Sequence, residues 1–115
     1  MTEQPTPEKL LIIVVSPNDG ERLMQRLVRD GVPATRIGSA GGFLSRGSST
    51  ILSGVPALQV EPVLDLIRQI CPVRTELAPV QTLPLVGTAA TGPPIEVRTG
   101  GAIVFVLDIE RFERI

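Results

Sequence analysis

Residues Leu10–Gly31 read LLIIVVSPNDGERLMQRLVRDG, and the rest of the architecture follows from them. Leu10–Val15 is a short, continuous apolar run, the pattern of a strand buried on both faces. Ser16 follows as an N-cap, with Pro17 at the first helical position and Asp19 three residues after the cap. A hydroxyl accepts one of the orphan N–H groups there, and proline has no N–H to leave orphaned. The helix extends to about Arg29, and Leu23, Met24, Leu27 and Val28 form its apolar face. Asp30-Gly31 ends it, with Gly31 as the glycine after the C-cap.

Further along, Ala34–Ile37 reads as a second strand and Ser49–Val55, centred on Thr50–Leu52, as a third that Pro56 breaks. Val60, Val63, Leu64, Ile67, Ile70 and Cys71 then recur at helical spacing, with Pro62 confined to the first turn. Residues 72–101 carry five prolines and the Gly100-Gly101 pair, an unusually long irregular connection. Within it, Thr75–Leu77 and Ile95–Arg98 are expected to pair as a hairpin arm. Ala102–Leu107, AIVFVL, is the last core strand, and a charged tail with Phe112 as its anchor follows.

The order βαββαβ predicts an α+β, ferredoxin-like domain. Residues 1–9 read as a flexible N-terminal extension, and residues 10–115 as one domain with a long loop over 72–101. Two helices cover one face of such a sheet. Yet LLIIVV and AIVFVL are apolar at nearly every position, so the second face also needs a cover. Another copy of the chain provides it, which predicts a homo-oligomer with its sheet faces turned inward.

Composition narrows the function. A net charge of −1 argues against a nucleic-acid partner, since phosphate neutralisation needs clustered cations. The chain has no histidine and one cysteine, Cys71, which removes the commonest general base, the commonest metal ligand and any internal disulfide. Asp108, Glu110 and Glu113 read as a solvated tail, and Cys71 as a buried, inert thiol. No segment has the length to span a bilayer, so membrane insertion is not expected and the cytoplasm is the expected location. With no nucleophile–base pair, an enzyme is not expected, nor are a cofactor or a metal.

The stretch Thr35–Gly54, TRIGSAGGFLSRGSSTILSG, sets small residues around a single Phe43-Leu44 pair. Glycines let backbone N–H groups approach a ligand, and an aromatic at the tip of such a loop is costly to leave uncovered. This combination suggests a pocket wall for a flat, polar molecule.

Thr35, Gly41-Gly42-Phe43-Leu44, Gly47, Thr50 and Gly54, together with Gly100-Gly101-Ala102, Val104-Phe105-Val106 and Phe112, resemble the P-II-like cyclic di-AMP receptors. The resemblance runs from about Leu10 to Ile115. It implies a P-II-like homotrimer that binds cyclic di-AMP between subunits and reports it to a downstream protein by reordering loops. It implies Thr35, Gly42, Phe43, Leu44, Ser48 and Gly54 as ligand-binding residues; Arg36 and Arg46 are this chain's own candidate phosphate contacts. This chain has Pro33 where the family usually has an arginine, and Ser48 where it usually has an asparagine. These departures leave a second reading, a P-II-like interaction module for another adenine nucleotide or for a protein partner alone.

Overall fold

The computed structural model describes residues 5–37, 47–78 and 93–115. Its centre is β1 (Lys9–Val15), flanked by β3 (Ser49–Val55) and β6 (Ala102–Asp108), both antiparallel to it. β2 (Thr35–Ile37) pairs with β3 and completes a sheet ordered β2-β3-β1-β6. Helix α1 (Pro17–Arg29) carries the chain from β1 past β3 to β2. A 3₁₀ turn (Ala57–Gln59) and α2 (Val60–Ile70) carry it from β3 past β1 towards β6. This is the expected ferredoxin-like order. Before β6 the chain makes the expected arm, in which β4 (Arg74–Ala78) pairs antiparallel with β5 (Ile95–Thr99).

The local signals of α1 work as the sequence suggests. The Asp19 N–H donates to Ser16 Oγ at 3.3 Å. At the other end Gly31 takes φ +76°, its N–H donates to the Val28 carbonyl, and the Val32 N–H donates to the Leu27 carbonyl. These two bonds close the helix and satisfy carbonyls that would otherwise lack partners. At the chain's start, the Glu8 N–H donates to the Val55 carbonyl, and the Ile109 N–H donates to the Glu8 carbonyl. The sheet is therefore entered at Lys9, one residue before the expected start of the domain.

Side chains of β1 and β3 alternate across the sheet. Leu11, Ile13, Val15, Ile51 and Val55 point to the helical layer and meet Leu23 and Leu27 of α1 and Val63, Leu66 and Ile67 of α2. Each such side chain is worth about 1.5–3 kcal/mol relative to exposure. Leu66 joins this core although it fell outside the residues expected there. Val28 is the reverse case: expected on the apolar face, it is exposed, because Leu23 and Leu27 centre the buried stripe and Val28 lies beyond it.

Among the described residues no helix covers the opposite sheet face, where Val14 is buried and Leu10 and Ile12 are half-buried. Register stacks Leu10 against Leu107, Ile12 against Phe105 and Val14 against Ile103. Phe105 is 51% exposed, Ile103 57% and Leu107 44%. Within its own chain β6 is thus not the doubly buried strand its composition suggests. Nor does Phe112 anchor the tail in the core: it is exposed, and the Arg114 guanidinium lies over its ring at 5.3 Å.

Candidate functional site

Thr35 stands on the edge strand, directly opposite Leu52. Residues 49, 51, 53 and 55 are buried towards the helices, so Thr50, Leu52 and Gly54 present the open face. Thr35 and Ile37 share that face through their register with Leu52 and Thr50. An exposed hydroxyl thus borders an apolar sheet surface. Gly47, at φ +81°, and half-buried Ser48 lead into β3. Gly42, Phe43, Leu44 and Arg46 lie outside the described residues.

Gly54 has a neighbour within its own chain. A Cβ added there would stand 3.1 Å from Pro7 Cβ, so the close approach that a glycine permits is made by the N-terminal segment. Pro33 is also fixed, because the Ser53 hydroxyl, buried in the core, donates to its carbonyl at 2.7 Å. Arg36 turns to the helical side. Its Nε and Nη2 donate to Ser49 Oγ at 3.0 and 2.7 Å, and Nη2 also donates to the Pro17 carbonyl at 3.2 Å. The structure therefore brings Thr35 and Gly54 to one face and places Arg36 on the other.

A second cluster was not anticipated. Asp19, in the first turn of α1, is 0% exposed. Its carboxylate accepts from Arg74 Nη1 at 3.2 Å, from Arg74 Nη2 at 3.1 Å and from Arg22. Arg74 also donates to Glu76 and to the Pro72 carbonyl, and Arg22 to the Ile70 carbonyl. Burial alone would raise the Asp19 carboxyl. The hydrogen bonds from Arg74 and Arg22 outweigh it and hold the carboxyl below its ordinary value. The only sequence signal was an acidic residue at the third position of a helix, a common place for one; its partner lies 55 residues away.

Cys71 packs beside this cluster, and its thiol is pushed up to about 11, first by burial and then by the Asp19 charge. At pH 8 roughly one thiol in a thousand is then ionised. Native protein is expected to resist a thiol-disulfide exchange reagent at pH 8 and to react promptly in denaturant. Prompt reaction of the native protein would contradict the buried placement.

Among the described residues, two grooves lie beside the helices. One, of about 420 Å³, lies between α2 and the base of the arm, against Leu64, Cys71, Val73 and Val104. The other, of about 290 Å³, lies beside Arg26, Asp30, Gln59 and Gln69. Neither includes Thr35, Ser48 or Gly54. Among the described residues, no group of three acidic, Cys or His side chains could hold a metal ion, and no helix is long and apolar enough to cross a membrane.

Against known proteins, a family model described as Cyclic-di-AMP receptor matches residues 8–115. The solved structure of a functionally unknown protein from Pediococcus pentosaceus ATCC 25745 is 31% identical, over 96% of this chain and 100% of that one, with a TM-score of 0.73. CPII, a nitrogen regulatory PII-like protein from Thiomonas intermedia K12 solved with ADP, AMP and bicarbonate, is 22% identical over 95% of this chain and 97% of that one, with a TM-score of 0.57. That second likeness is one of fold. From the residue before β1 to the last residue of the tail, this chain belongs to the cyclic-di-AMP receptor family and has a PII-like fold.

Proposed function

We propose that this protein is a non-enzymatic, cytoplasmic receptor that binds cyclic di-AMP between the subunits of a homotrimer. The observation that carries this is the position of Thr35, at the margin of an apolar sheet face that no described helix covers. A hydroxyl so placed needs a second surface to form a pocket, and the apolar face needs a second copy to exclude water. Three copies with these faces turned inward meet both needs. Thr35, Gly42, Phe43, Leu44, Ser48 and Gly54 then line the cleft, with Arg46 as a phosphate contact. Arg36 acts through its own subunit, holding Ser49 and Pro17. The nucleotide is the ligand, no cofactor is needed, and ligand binding reorders the Gly38–Ser48 loop and part of Pro72–Gly101. Differential affinity for two arrangements suffices to signal to a downstream protein.

Calorimetric titration tests this, with cyclic di-AMP alongside ATP, ADP, AMP and cyclic AMP. The expected result is saturable heat from cyclic di-AMP, one site per subunit. Phe43→Ala should weaken binding about tenfold or more while the oligomer persists, since stacking a base on an aromatic ring contributes about 1–3 kcal/mol. No heat from cyclic di-AMP at about 100 μM would sink this reading. Heat from another adenine nucleotide instead would support the second reading. That reading is favoured by Pro33, pinned by Ser53, where the resemblance leads one to expect an arginine.

A further inference from the structure

The strands β2 and β3 and the β4–β5 arm belong to different parts of the chain, yet both are fastened to the first turn of α1. On the strand side, Arg36 joins Ser49 to the Pro17 carbonyl. Ser49 also presses on Gly20: a Cβ there would stand 3.0 Å from Ser49 Cβ and 3.3 Å from its Oγ. On the arm side, Arg74 holds both oxygens of buried Asp19. The turn between these contacts is itself braced, with the Asp19 and Gly20 N–H groups both donating to Ser16.

The base of the arm is closely packed. Gly100 and Gly101 take φ +83° and +80°, a conformation that other residues rarely adopt. A Cβ on Gly100 would run into the Pro72 carbonyl and the Arg74 guanidinium, and one on Gly101 would stand 2.8 Å from Val73 Cγ2. The Gly101 N–H donates to the Cys71 carbonyl at 2.8 Å. Beyond this short base, the Arg74–Asp19 pair fixes the direction in which the arm leaves the domain.

We propose that the first turn of α1 is a coupling element, through which displacement of β2 and β3 alters how firmly the arm is held. Three of its residues, Pro17, Asp19 and Gly20, take these contacts from both sides, and tight packing leaves little slack between them. Taken with the receptor reading, on which this use of it rests, the element carries the effect of ligand beside β2 to the arm. Couplings of this kind commonly reach about 5- to 150-fold.

Hydrogen exchange of the β4–β5 amides, measured without ligand, tests the coupling directly. The variants are Arg36→Met, which touches nothing on the arm, and Asp19→Asn, which removes the latch charge. Arg74→Gln replaces the latter if it does not fold. Asp19→Asn should speed arm exchange about tenfold. Arg36→Met should speed it about threefold or more, while β1 amides keep wild-type rates. If Arg36→Met accelerates exchange only in β2 and β3 and leaves the arm at wild-type rates, the coupling does not exist. Because no nucleotide is present, this outcome is independent of the calorimetry. A failure to bind cyclic di-AMP would end the receptor reading alone.

Discussion

Asp19→Ala should lower the unfolding free energy by about 2–3 kcal/mol, the scale of hydrogen bonds to a charged group lost together. The carboxylate is fully buried and takes three guanidinium hydrogen bonds from two arginines. Removing one partner of a fully buried pair costs more, because the other charge is stranded. Here Arg22 and Arg74 are part-exposed and can turn to water, which keeps the loss at the lower figure. The expected fall in Tm is about 8–15 °C.

The effect should depend on pH in a definite direction. The folded carboxyl titrates below its ordinary value of 3.8. Its contribution is therefore complete above the ordinary carboxylate range and is lost as pH falls through the lower folded value. Wild type and Asp19→Ala should differ by a constant amount from pH 7 to about pH 5, and the gap should close as pH drops below the ordinary carboxylate value. A gap that instead widens with acid would show that Asp19 is not held charged by its arginines.

On the proposal that the open sheet faces turn inward in a homotrimer, Phe105→Glu should leave single chains of 12.3 kDa. Phe105 lies in the middle of the open face, between Ile103 and Leu107 and over Ile12. In one chain the substitution meets mostly water and costs little. In an assembly with these faces inward it buries a carboxylate with no cation beside it, a cost of several kcal/mol per copy. Sedimentation at about 10 μM should show wild type at three times the chain mass and Phe105→Glu at the chain mass. Leu58→Glu, at a position 91% exposed on the 3₁₀ turn, serves as the control and should stay assembled. Assembly that survives Phe105→Glu would place the contact on another surface.

Much of the domain could be read from short stretches of chain because the signals there are local. Ser16, Pro17 and Gly31 set the ends of α1 by satisfying or omitting particular backbone groups, and the structure shows those bonds. LLIIVV and AIVFVL could be read as strands from their apolar continuity. The arm could be read from two extended pieces within a proline-rich stretch. Less of the candidate site was legible, since what surrounds Thr35, Arg36 and Gly54 comes from distant chain. The hydrogen bonds that Arg36 donates to Ser49 and to the Pro17 carbonyl join residues 13 and 19 positions apart. The packing of Pro7 beside Gly54 is likewise set by the fold.

The sequence by itself determined the element order, the ends of α1 and the family resemblance, because capping and apolar periodicity act within a few residues of where they are written. It also determined that one sheet face lacks a cover, because two helices cannot shield both sides of strands apolar throughout. Only the tertiary structure decided that Asp19, an ordinary acid at the start of a helix, is a buried anchor for an arm 55 residues further on. A buried charge persists only where cations converge on it, and that convergence depends on how the chain returns to the helix rather than on the residues beside it.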